Sequence, residues 1–154
     1  MRVQDILQMK SRRLVTISQG ASMQEAARMI SCERVGMLLV VDDRRQLVGL
    51  LSERDVICFV AMTGAGALSL PVSAGMSDPW LIATPAQPVT DVMRVMTKER
   101  VRHIPVLSDG NPIGVISIGD VLKSRLAEKD PEAAALLDHA GDPRILFGLA
   151  SVCH

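Results

Sequence analysis

Aromatic side chains are nearly missing from this chain: tyrosine is absent, and Phe59, Phe147 and Trp80 are the whole set. Proteins that grip single-stranded RNA or DNA stack bases on aromatic rings, and no such platform can be assembled from these three. An excess of either charge is lacking too. Lys plus Arg number 17 and Asp plus Glu number 17, so no overall field draws the molecule onto nucleic acid or an anionic membrane, and any anion site has to be local. Cysteine is scarce, with Cys32, Cys58 and Cys153 at wide spacing. An odd number so placed fits neither a disulfide framework nor a zinc site and predicts reduced thiols in a cytoplasmic protein. The first ten residues carry charge and lack the apolar run of a secretory signal, which argues against export. Residues 56–77 hold no charge and match a membrane span in length, but Gly64, Gly66, Pro71 and Gly75 break a helix there. No membrane partner is expected.

What is present is apolar material and repetition. With 48% hydrophobic and 22% charged side chains, 154 residues support a packed core without help from disulfides. Glu33, Arg34 and Val35 recur as Glu99, Arg100 and Val101, and Val40 and Asp43 recur as Val106 and Asp109. Past the next loop the spacing shortens by one, and Gly49, Ser52, Asp55 and Val56 recur as Gly114, Ser117, Asp120 and Val121. Identities in the same order mark a duplication.

Each copy carries the same coarse pattern. Residues 14–17 read as a strand, and Met23, Ala26, Ala27 and Ile30 keep the spacing of a buried helix stripe, repeated by Val89, Val92, Met93 and Met96. Residues 37–41 and 47–51 read as a hairpin around Asp42, Asp43, Arg44 and Arg45, and residues 104–107 and 113–116 match it. A unit that small buries too little alone, so the expected fold is α/β (α+β): two repeats, each a three-stranded sheet with two helices, packed sheet to sheet with pseudo-two-fold symmetry. The expected division is residues 1–62, a Gly, Ser and Pro-rich linker 63–79, residues 80–126, and a helix and tail 127–154.

Two motifs carry candidate chemistry, Ser52-Glu53-Arg54-Asp55 and Ser117-Ile118-Gly119-Asp120, each where a strand runs into a helix. Ser-x-x-Asp at such a point is a capping box, with Ser accepting a helix amide and Asp returning the bond. The same geometry offers helix amides and a hydroxyl to a phosphate, and a carboxylate to the two hydroxyls of a ribose. Both readings stay open on spacing alone. His103 has no nucleophile or second base beside it in the repeat, so it packs or hydrogen-bonds and no enzyme is expected. Lys10, Arg12 and Arg13 make a small basic cluster within reach of a phosphate tail. Cys153-His154 is too short to argue for a metal.

Both halves resemble cystathionine-β-synthase (CBS) domains, and the pair resembles a Bateman module of the stand-alone bacterial type. The residues that carry the likeness are Arg102-His103-Ile104-Pro105-Val106 followed by Gly114 to Val121, and Val35 to Asp42 followed by Gly49 to Val56. The resemblance implies clefts between the repeats that hold an adenosine-containing ligand: AMP, ADP, ATP, S-adenosylmethionine or NAD. For one cleft it places the ribose carboxylate at Asp120 and its hydroxyl at Ser117, with Val15, Thr16, Ile17, Val35, Gly36 and Met37 around the base and Arg102 and His103 nearby. For the second cleft Asp55 and Ser52 take those roles, with Leu81, Ile82, Val101, Arg102 and His103 opposite, and Arg54 offsetting Glu53. It further implies a homodimer in which the helices starting at Asp55 and Asp120 meet their copies. The function so implied is regulatory adenine-nucleotide sensing, with an unidentified regulated protein as partner. The alternative is a ligand-free oligomerisation module whose Ser and Asp are helix caps only.

Overall fold

Ser22 begins the first amphipathic helix by accepting the Glu25 amide at 3.2 Å, and that helix, Met23–Glu33, buries Met23, Ala26 and Ile30. Its counterpart Val89–Glu99 buries Val92 and Met96 behind Val89. These are members of the stripes expected from spacing, of which Ala27 and Met93 are only partly buried. Each helix stops on an arginine in the left-handed region, Arg34 at φ 53° and Arg100 at φ 54°, whose amides donate to the Ile30 and Met96 carbonyls.

The computed structural model describes residues 1–10 and 14–129. In chain order these form α1 (Val3–Met9), β1 (Thr16–Ser18), α2 (Met23–Glu33), β2 (Met37–Val41), β3 (Leu47–Ser52), α3 (Glu53–Thr63), α4 (Val89–Glu99), β4 (His103–Ser108), β5 (Asn111–Ser117) and α5 (Ile118–Lys129). Two short 3-10 turns, Ala65–Ser69 and Val72–Ala74, lie between α3 and α4. Arg12, Arg13, the expected helix beyond Lys129 and the tail 141–154 lie outside the described residues.

In the first sheet β2 is central, parallel to β1 and antiparallel to β3. The second sheet is the antiparallel pair β4 and β5, and the expected third strand is reduced to one parallel bridge from Ala83 to Val106. Two hydrogen bonds hold it, from the Ala83 amide to the Pro105 carbonyl at 2.9 Å and from the Leu107 amide to the Ala83 carbonyl at 3.0 Å. The cause is local: Thr16-Ile17-Ser18 favours an extended run, whereas Ala83-Thr84-Pro85 pairs a weak strand former with a residue that has no amide to donate. The duplication survives in the register, since Ile17 opposes Val40 and Ala83 opposes Val106. Both hairpins also slip by one residue at the same place, after Val40 and after Val106.

Each lobe is completed by the segment that precedes the other. Val3, Ile6 and Leu7 of α1 pack with Val89, Val92, Met96, Ile104, Ile116 and Val121 of the second lobe. Val72, between the repeats, packs with Met23, Ile30, Leu38 and Leu51 of the first. Two glycines make room. A side chain at Gly114 would meet Leu7 Cδ2 at 2.6 Å, and one at Gly49 would run into Met76. Among the described helices none is long and apolar enough to cross a membrane. Of the described cysteines, Cys58 is free and exposed.

Candidate functional site

The two Ser-x-x-Asp motifs fold alike. At the start of α3 the Ser52 amide and hydroxyl donate to Asp55 Oδ2 at 2.7 and 2.6 Å, and the Asp55 amide donates back to Ser52 Oγ at 3.2 Å. At the start of α5 the Ser117 amide and hydroxyl donate to Asp120 Oδ2 at 2.7 and 2.8 Å, with the Asp120 amide returning to Ser117 Oγ at 3.2 Å. The capping boxes expected from spacing are therefore formed, and each leaves one carboxylate oxygen outside the box.

The motifs differ in what reaches them from elsewhere in the chain. Asp55 Oδ1 accepts from the Ser77 hydroxyl at 3.2 Å, and among the described residues no ammonium or guanidinium pairs with it. Asp120 Oδ2 takes the Lys10 ammonium at 2.8 Å, and the same ammonium donates to the Val115 carbonyl at 3.1 Å. Burial by itself would raise the Asp120 carboxyl, but the bonds from Lys10 and then Ser117 outweigh it and hold the group below its ordinary 3.8.

Two cavities flank these junctions, and His103 and Gly36 line both. The smaller, about 230 Å³, is lined by Lys10, Val15, Arg34, Val35, Met37 and Ser117 among others. The larger, about 850 Å³, brings together Ser52, Arg54, Asp55, Leu81, Val101 and Arg102, with Glu53, Ser77, Trp80, Thr97 and Arg100 around them. Of the residues expected around the first cleft, Ile17 is buried in the first core, Thr16 lines neither cavity, and Arg102 lines the larger one. Asp120 joins the smaller cavity through its bonds to Ser117 and Lys10. Ile82 lines neither cavity and is 46% exposed.

His103 stands between the cavities, so close to Gly36 that any side chain there would run into the imidazole. Burial pushes its pKa down from 6.5, Lys10 pushes the same way, Glu53 and Asp120 pull upward and Arg102 lowers it again, with a net lowering. The neutral ring is favoured on folding, so the unfolded chain protonates first as pH falls. Stability from this group is complete above 6.5 and is lost as pH drops through the folded value. Thermal denaturation from about pH 7 to pH 5 is expected to show a falling Tm, with a shallower fall in His103→Gln. An equal slope in the two proteins would show that other groups set it.

The CBS domain family model matches residues 3–61 and again 70–127. The chain belongs to the CBS domain family. It is a CBS pair, and the second match begins at Leu70, just ahead of Val72, so both matches take in a helix or turn that packs beneath a glycine-bearing strand. The pair is 35% identical to the CBS-domain-containing protein ATU1752 of Agrobacterium tumefaciens, whose crystal structure overlays with a TM-score of 0.77 over 80% of this chain and 92% of that one. It is 25% identical to the CBS domain protein PAE2072 of Pyrobaculum aerophilum complexed with AMP, with a TM-score of 0.69 over 78% of this chain and 89% of that one. Among curated proteins it is 33% identical, over 73% of its length, to the mitochondrial CBS domain-containing protein CBSX3 of Arabidopsis thaliana, and spans 56% of that relative's length.

Several residues of the CBS pair's cavities escaped the sequence reading. Arg34 and Arg100 hold corresponding places, one in each cavity, in a backbone conformation that costs a non-glycine residue about 1–2 kcal/mol. Their recurrence at corresponding positions was the available signal. Trp80 is 65% exposed where it lines the larger cavity, and Thr97 and Ser77 reach it from α4 and from the segment before it.

Proposed function

We propose that this CBS pair is a regulatory module that binds an adenosine-containing ligand in the larger cavity and catalyses no reaction. The observation that carries this reading is the pairing of Asp55, with its Oδ1 outside the capping box, and three arginines around one volume of about 850 Å³, within the range of small-molecule sites. Asp55 and Ser52 hold the ribose, Leu81, Val101 and Met37 give the base an apolar wall, and Arg54, Arg100 and Arg102 face the phosphates. The AMP complex of the Pyrobaculum relative supports AMP as the first ligand to try, with ATP, S-adenosylmethionine and NAD beside it.

Isothermal titration tests this directly, and fluorescence of the chain's one tryptophan, Trp80, reports on the larger cavity itself. Saturable heat with one of these ligands, together with a change in Trp80 emission, is the expected result. No heat with any of them on folded protein would leave the ligand-free interaction module, whose supporting observation is that both Ser-x-x-Asp motifs form complete capping boxes.

Arg100 offers a second readout. Arg100→Gly is expected to leave stability unchanged or raise it by up to about 1 kcal/mol, because glycine is at ease at positive φ. The same change removes a charge-assisted contact and is expected to weaken ATP about tenfold. Urea unfolding and titration on the same preparation read both effects, and undiminished ATP affinity would remove Arg100 from the site.

The reading includes a homodimer and a regulated protein partner. α3 buries none of its residues within the chain, and Ile57 and Met62 on it are 69% and 89% exposed, with Leu122 on α5 at 54%. Copies meeting through these helices would cover that apolar surface. Sedimentation velocity checks it against the 16.6 kDa of one chain.

A further inference from the structure

We infer that Lys10 acts as a built-in occupant of the smaller cleft, so that this CBS pair takes one nucleotide per chain, in the larger cleft. The inference rests on the adenosine-binding reading above and adds to it which junction binds and what closes the other.

The two clefts are related by the duplication, and that relation isolates the difference. Leu7 lies against Gly114 as Met76 lies against Gly49. Three residues beyond Leu7 the chain has Lys10, and three beyond Met76 it has Pro79. One copy of the motif therefore receives an ammonium, and the corresponding position beside the other copy is a proline. The Lys10 ammonium reaches both Asp120 Oδ2 and the Val115 carbonyl, and it comes from a helix anchored through buried Ile6 and Leu7. It donates to Oδ2, the oxygen already inside the capping box, and its positive charge neutralises the carboxylate that would otherwise attract ribose hydroxyls.

Size points the same way. The cleft with the ammonium measures about 230 Å³ and the cleft without it about 850 Å³, and small-molecule sites run from about 300 to 1,000 Å³. A nucleotide entering beside Asp120 would have to displace a side chain tied at two points, whereas at Asp55 the competing donor is a neutral serine hydroxyl at 3.2 Å.

The test is binding stoichiometry by isothermal titration with AMP and with ATP on the full chain. The unaltered protein is expected to bind one nucleotide per chain. Lys10→Ala is expected to bind a second, and Lys10→Ala with Asp120→Asn to return to one. A gain of sites cannot come from misfolding. Two sites in the unaltered protein, or one site in Lys10→Ala, would overturn the proposal. A loss of affinity of tenfold or more in Lys10→Ala would overturn it as well, because Lys10 would then be a phosphate ligand. If neither the unaltered protein nor Lys10→Ala binds any nucleotide, the adenosine reading itself falls and this inference with it.

Discussion

Replacing Asp55 by alanine is expected to weaken nucleotide binding at least about 100-fold while lowering stability by only about 1 kcal/mol. The first figure follows from two ribose hydroxyls donating to an ionised carboxylate, each such bond contributing about 1.5–3 kcal/mol, where 1.4 kcal/mol is a factor of ten. The second is the ordinary cost of a lost helix cap, here the bonds that Asp55 Oδ2 accepts from the Ser52 amide and hydroxyl. The disproportion is the point of the experiment. A residue that served as a cap alone would show the stability loss and leave affinity within about twofold, once folding is allowed for. Asp120→Ala is the natural comparison, because its box has the same bonds. It also frees Lys10 from its carboxylate, so its stability cost is expected to exceed that of Asp55→Ala. Titration and urea unfolding on the two variants separate capping from binding at each junction.

The fold was legible wherever its signal is local or repeated. Helix stripes follow from spacing over about two turns, and the Ser-x-x-Asp boxes close within four residues, so both could be read directly. The duplication made the hairpins readable twice over. What stayed hidden is nonlocal or conformational. Lys10 and Asp120 meet across 110 positions of sequence, and no spacing rule brings a lysine before the first strand to a carboxylate after the last one. The left-handed backbone of Arg34 and Arg100 was invisible for a different reason: arginine is not the residue that this conformation favours, so its identity gives no hint. The third strand of the second sheet is expected by analogy with the first, and Pro85, two residues after Ala83, is the cue that it shrinks. Arg102 is expected at both clefts and lines the Asp55 cleft alone of the two. It sits where the first β-strand of the second lobe begins, and position along a strand end does not say which side of His103 a long side chain takes.

The exchange of segments between lobes leads to the largest effect on stability. Deleting residues 2–9 is expected to unfold the second lobe, although the deleted stretch stands at the start of the first CBS match. Val3, Ile6 and Leu7 are 0%, 4% and 6% exposed, and burying each contributes about 1.5–3 kcal/mol. That approaches the whole stability of an ordinary domain, about 5–15 kcal/mol. Backbone bonds go with them, from the Val3 amide to the Gln87 carbonyl at 3.0 Å and from the Gln4 amide to the Pro85 carbonyl at 2.9 Å, both just ahead of α4. Hydrogen exchange locates the damage: amides of β4, β5 and α4 should lose protection first, and those of β2 and β3, whose core is completed by Val72, should hold longer. Leu7→Ala gives the graded version, at about 2–5 kcal/mol, against Gln8→Ala on the exposed side of the same helix at about 0.5 kcal/mol or less. Equal loss in both lobes would mean that they unfold as one unit, and protection lost first in β2 and β3 would refute the assignment of α1 to the second lobe. Because α1 ends at Lys10, the helix that completes this core also carries the ammonium to Asp120, so any substitution that loosens Leu7 against Gly114 should also loosen the hold on the smaller cleft.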